Sequence, residues 1–67
     1  MIAITLNGQP TQIPAGLTLR QALEHLQLGP ERLAVELNQT VIRRADWGTY
    51  LLAEGDRLEV VHFVGGG

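Results

Sequence analysis

The apolar pattern of this 67-residue chain implies an α+β domain, one main helix packed across a mixed sheet of four to five strands. Three observations point there. Residues 2–6 and 57–64 are strongly strand-forming, one segment after Thr18 carries helical periodicity, and the elements run in the order hairpin, helix, two short strands, irregular segment, last strand. A single helix long enough to cover a sheet is most economically laid across its face. A chain of this size makes one domain, which buries roughly 60% of the surface its unfolded form exposes. Its core is thin, so partner contacts add to its stability.

Taken in order, Ile2, Ile4 and Leu6 alternate with Ala3 and Thr5, the period-two signature of a half-buried strand. Asn7-Gly8 is a tight-turn signal, and the second arm runs from Gln9 to about Ile13. Pro10 is acceptable there only at a strand start or on an edge. Pro14-Ala15-Gly16 ends the hairpin.

Thr18 followed three residues later by Gln21 forms a capping box, in which hydroxyl and amide satisfy exposed backbone donors at a helix start. Leu19, Ala22, Leu23 and Leu26 then fall on one apolar face, and Gly29-Pro30 is expected to stop the helix. Leu33, Val35 and Leu37 alternate with Ala34 and Glu36 as a third strand. Asn38-Gln39-Thr40 turns it into a short Val41-Ile42 strand. Arg43 to Tyr50 has no strand pattern, and Trp47 within it is read as a cap over the small core rather than a ligand platform. Glu54-Gly55-Asp56 is a turn, and Arg57 to Val64 forms the last strand. The helix supplies a crossover, so the first and last strands can pair in parallel at the sheet centre. That arrangement is the ubiquitin-like β-grasp, with residues 1–64 as the domain and 65–67 as a flexible C-terminal glycine tail.

Composition removes several function classes. The chain has no Cys, which excludes disulfides, thiolate zinc sites and a cysteine nucleophile. It has no lysine for a Schiff base, no His-Glu-x-x-His pattern and no phosphate-binding glycine loop with its lysine. His25, opposite the leucine face, and His62, in the last strand, have no second ligand nearby, and Asp56 and Glu59 read as a turn acid and a surface residue. No metal site is expected, and a self-contained enzyme is disfavoured. Net charge is −2 and the longest basic run is Arg43-Arg44, which argues against nucleic-acid binding. That pair reads as a solvated loop, with docking of an acidic partner as the alternative. The start lacks a basic region and breaks at a turn, and no apolar run approaches the roughly 20 residues of a membrane-spanning helix. A soluble, cytoplasmic protein with no membrane association is expected.

What remains is the tail, Val64-Gly65-Gly66-Gly67. An α-carboxylate, with a reference pKa of about 3.3–3.7, is ionised at neutral pH and can attack the α-phosphate of ATP. The acyl-adenylate so formed has a good leaving group that a sulfur nucleophile displaces, leaving a thiocarboxylate on Gly67. Glycines lack Cβ and pass through a narrow channel; four extended residues span roughly 13–14 Å. A frayed tail without function is the competing reading. The strand before it favours function: with Leu58 and Val60 inward, Arg57, Glu59, Val61 and Phe63 point outward, and that face turns apolar towards the glycines. Val61, Phe63, Val64, Gly65 and Gly66 are therefore the candidate partner-binding residues, although Phe63 has the alternative of packing on its own domain.

The residues Leu6-Asn7-Gly8, Leu37-Asn38 with Val41-Ile42, Arg44, Trp47, Gly55-Asp56 and the run Leu58 to Gly67 together resemble the thiamine-biosynthesis sulfur carrier family, ThiS, over the whole chain. Arg43 departs from the family, whose members commonly carry proline there. The resemblance implies a β-grasp fold and adenylation of Gly67 by a ThiF-type adenylyltransferase, with ATP and magnesium belonging to that partner and no cofactor bound by this chain. It further implies sulfur drawn from cysteine through a desulfurase, and donation to the thiazole synthase ThiG. The related small subunit of molybdopterin synthase, MoaD, and a ubiquitin-like protein modifier are the alternatives. Because the chain holds neither Cys nor Lys, no side-chain thiol or ammonium is present to capture its own activated acyl group, only the N-terminal amine.

Overall fold

The computed structural model describes residues 1–28 and 32–62. Five strands form one sheet in the order β2-β1-β5-β3-β4, with β1 Ile2–Leu6, β2 Gln9–Ile13, β3 Leu33–Leu37, β4 Thr40–Val41 and β5 Arg57–His62. Strands β1 and β5 pair in parallel, Thr5 with Arg57 and Leu6 with Leu58, while β5 pairs antiparallel with β3 on its other side. The last strand thus lies at the sheet centre, as the crossover argument requires.

The β1–β2 hairpin turns on Asn7 (φ +51°) and Gly8 (φ +83°), the left-handed pair that a two-residue turn matched to strand twist needs. Pro10 lies opposite Thr5 on β2, an edge strand. The residues flanking a two-residue turn, here Leu6 and Gln9, form the hydrogen-bonded pair, so the next pair needs no amide from Pro10.

Helix α1 spans Leu19–His25. Its capping box is formed: Thr18 Oγ1 accepts from the Gln21 amide at 3.2 Å, and Gln21 Oε1 accepts from the Thr18 amide at 2.9 Å. Leu19, Ala22 and Leu23 are buried, whereas Leu26, already the C-cap, is half-buried. The helix stops earlier than Gly29-Pro30, which lie outside the described residues. Gln27 takes φ +61°, the Gln27 amide donates to the Glu24 carbonyl and the Leu28 amide to the Leu23 carbonyl. Those two bonds close a Schellman motif with glutamine in the place glycine usually holds.

A second correction concerns β4. The turn after β3 contains only Asn38 (φ +52°) and Gln39 (φ +71°), so Thr40 joins the strand and Ile42 leaves it, buried in the core. The segment expected to be irregular, Arg43 to Tyr50, carries a 3-10 turn, Arg44–Asp46, and just after it an isolated bridge joins Thr18 and Leu51, next to the buried Leu52. Trp47 is 2% exposed and its Nε1 donates to the Ile42 carbonyl at 3.0 Å, which fits the core-cap reading. The core joins Ile4, Ile13, Val35, Leu37, Leu58 and Val60 of the sheet to the buried helix face. Among the described residues no helix is long and apolar enough to cross a membrane.

Candidate functional site

Strand β5 alternates as its sequence suggests: Leu58 and Val60 are buried, Arg57, Glu59 and Val61 exposed. Of the residues expected to meet a partner, Val61 is 59% exposed. Phe63, Val64, Gly65, Gly66 and Gly67 lie outside the described residues, so the structure speaks to the strand that leads into them.

Around Val61 the outer face of the sheet forms a shallow depression of about 90 Å³, lined by Ala34, Val35, Glu36, Val41, Glu59 and Val61. Ligand pockets run to about 300–1,000 Å³. This one is sized for a partner's side chain. Val41 is exposed and sits opposite Glu36, Val61 opposite Ala34, and Glu36 directly opposite Glu59. Like charges facing each other across strands destabilise a sheet. The pair therefore makes a local negative field beside two exposed valines, a combination suited to a partner that presents an apolar side chain and a guanidinium or ammonium.

Both ends of β5 are held by side chains from turns. At its start Asn38 Oδ1 accepts from the Arg57 amide at 2.9 Å, Asn38 Nδ2 donates to Asp56 Oδ1 at 3.0 Å, and Asp56 Oδ2 accepts from the Ala53 amide at 2.8 Å. Asp56 is thus a turn acid with a defined structural duty. Towards the exit, Asn7 Oδ1 accepts from the Val60 amide at 2.8 Å and Asn7 Nδ2 donates to the Val60 carbonyl at 3.3 Å.

His25 and His62 are exposed on separate elements, and Glu59 is a surface residue. Arg43 pairs with Asp46 at 3.3 Å on the surface, and the Arg44 guanidinium lies 5.1 Å from the Trp47 ring centroid. The arginine pair is a solvated loop tied to its own neighbours, a contact that contributes little to stability. Reasoning from sequence missed Ala34, Glu36 and Val41 as members of the outer face. The period-two pattern of β3 already puts Ala34 and Glu36 there, whereas Val41 depends on the β4 register.

Comparison with known proteins supplies the rest. The chain matches the ThiS family model over residues 4–67. It is 30% identical to the sulfur carrier protein ThiS of Escherichia coli, over 96% of this chain and 97% of that protein. It is 48% identical, over 96% of its length, to a thiazole synthase of Magnetococcus marinus, of which it spans only 20%. The crystal structure of thiamine biosynthesis protein ThiS from Geobacter metallireducens superposes with a TM-score of 0.86 at 30% identity, covering 98% of this chain and 100% of that one. With the five-stranded mixed sheet and the one α-helix found among the described residues, these matches establish a ubiquitin-like β-grasp, and the chain belongs to the ThiS family.

Proposed function

We propose that this chain is the sulfur carrier of thiazole formation in thiamine biosynthesis, a protein co-substrate rather than an enzyme. The observation that carries the reading is the family match, which runs through β5 and the glycine run to residue 67. A ThiF-type adenylyltransferase binds the outer face of β5, β3 and β4 through Val61, with Phe63 and Val64 continuing the contact. Gly65 and Gly66 pass into its active site. The Gly67 carboxylate attacks the α-phosphate of ATP and releases pyrophosphate, with magnesium and ATP held by that enzyme. The terminal sulfur of a persulfide, loaded from cysteine by a desulfurase, then displaces AMP, and a thiol cleaves the resulting acyl disulfide to leave a thiocarboxylate and a new disulfide. Its sulfur passes to a ThiG-type thiazole synthase. Support for that recipient comes from the Magnetococcus thiazole synthase, in which a stretch similar to this chain makes up a fifth of the polypeptide.

Intact-protein mass spectrometry after incubation with ATP, magnesium, the cognate adenylyltransferase and a sulfur source tests the reading. A gain corresponding to one oxygen replaced by sulfur, lost when Gly67 is deleted, is expected. An unchanged mass with an enzyme preparation shown to convert another carrier of the family overturns it. Growth rescue of a deletion strain by thiazole, and not by molybdopterin, separates the thiamine carrier from the molybdopterin-synthase alternative.

A further inference from the structure

In a parallel ladder the hydrogen bonds recur at even spacing. Here the Thr5 amide donates to the Asp56 carbonyl at 3.0 Å and the Asn7 amide to the Leu58 carbonyl at 2.8 Å. The next bonds would join Val60 to the backbone of residues 7 and 9. Strand β1 does not go there, because Asn7 and Gly8 turn the chain away into β2. The Asn7 side chain takes the vacated place. Its carboxamide has the C=O and N–H of a peptide unit, and it receives the Val60 amide and donates to the Val60 carbonyl.

We infer that Asn7 is a positioning residue for the carrier reaction: its carboxamide extends the β1–β5 ladder by one peptide unit and fixes the root from which the chain leaves the domain towards Gly67. This inference rests on the carrier reading above. Val60 is the last buried residue of β5, since Val61 and His62 are exposed. On its other side β5 keeps its β3 partners as far as His62 opposite Leu33. Asn7 holds the side β1 abandons. Without the clamp, Val60 is held by β3 alone, and an activating enzyme must order more of this strand before the carboxylate meets ATP. Ordering each further residue carries a conformational-entropy cost, and the cost falls on tail insertion rather than on docking of the outer face.

Two variants separate the side chain from the turn. Asn7→Gly keeps the positive φ without strain and removes the carboxamide; Asn7→Asp keeps a side chain that tolerates this φ and retains the acceptor but loses the donor. Hydrogen exchange in the free carrier is expected to show the Val60 amide opening about 30-fold faster in Asn7→Gly, the effect of two lost hydrogen bonds, with the Leu23 amide of the helix unchanged. Steady-state adenylation well below the melting temperature is expected to show kcat reduced in both variants and KM held. A merely structural role lowers the melting temperature and leaves kcat per folded carrier untouched. If wild-type carrier is converted while both variants match its kcat, or if Val60 stays protected in Asn7→Gly, the inference fails alone. If wild type is not converted by its cognate enzymes, the carrier reading fails and takes the inference with it.

Discussion

Replacing Glu59 by glutamine removes one of the two carboxylates that face each other across β5 and β3, and it is expected to move stability and partner affinity in opposite directions. Directly opposite cross-strand residues have Cβ atoms about 4.5–5.5 Å apart, and such pairs contribute about 0.2–1 kcal/mol. Two unit charges about 5 Å apart repel by about 0.8 kcal/mol in water. Because both glutamates are exposed, a relief of about 0.5 kcal/mol is the reasonable figure once counterions screen the pair. For a domain of this length 1 kcal/mol shifts the melting temperature by about 4–8 °C, so Glu59→Gln is expected to melt about 2–4 °C higher at an ionic strength of about 0.1 M. Raising the ionic strength to about 1 M shortens the screening length to about 3 Å and should erase most of the gain. Affinity for the activating enzyme, measured by titration calorimetry, is expected to fall about two- to fivefold, the worth of one exposed ion pair. A melting temperature that does not rise, or a gain that persists unchanged in 1 M salt, refutes the repulsion; an affinity that is unaffected or improved refutes the assignment of this face to a basic partner.

Three other substitutions probe separate levels. Val61→Thr exchanges a methyl for a hydroxyl at nearly constant shape, and thermal melts are expected to move little while association with the activating enzyme weakens about fourfold, the loss of about one apolar carbon from the contact. Thr18→Ala removes the hydroxyl that accepts from the Gln21 amide, and denaturant titration should show a loss of about 1 kcal/mol with an unchanged m-value. Trp47→Phe keeps an aromatic ring in the core but orphans the Ile42 carbonyl; a loss of about 1–3 kcal/mol is expected, and Trp47→Ala, at about 3–5 kcal/mol, is expected to leave little folded protein, read by circular dichroism.

The parts of the fold readable in the sequence are those with local causes. The capping box needs only Thr18 and Gln21, three residues apart, and it forms as expected. Alternation in β5 depends only on pleating, so Leu58 and Val60 went inward and Val61 outward. The end of α1 was illegible because Gln27 adopts the left-handed conformation that glycine ordinarily signals, held there by the bond from the Leu28 amide to the Leu23 carbonyl. In β4 the ambiguity was whether Thr40 belongs to turn or strand, and the positive φ of Gln39 decides it. Asn7 was visible only as half of a turn signal. Its second duty joins residues 53 positions apart, and no periodicity in either segment announces such a contact. The docking face was half legible for the same reason: Val61 follows from its own strand, whereas its companion Val41 comes from a different hairpin.

The arrangement of β5 explains how so small a domain can serve a reaction whose chemistry lies beyond its fold. A carrier of this kind needs an exposed face for its partner to grip and a firm root for the chain that enters the partner's active site. Both demands fall on one strand. Neighbours on either side supply the firmness, β1 in parallel and β3 antiparallel, together with Asn38 at one end and Asn7 near the other. An edge strand would meet the first demand and fail the second, since half its backbone groups would be open to water or to another chain. The central place of β5 in turn requires the helical crossover from β2 to β3, because these two strands run parallel on either side of the β1–β5 pair and cannot be joined by a tight turn. Helix α1 therefore does more than cover the core: without the connection it makes, the last strand could not lie beside the first, and Asn7 would have no Val60 to hold.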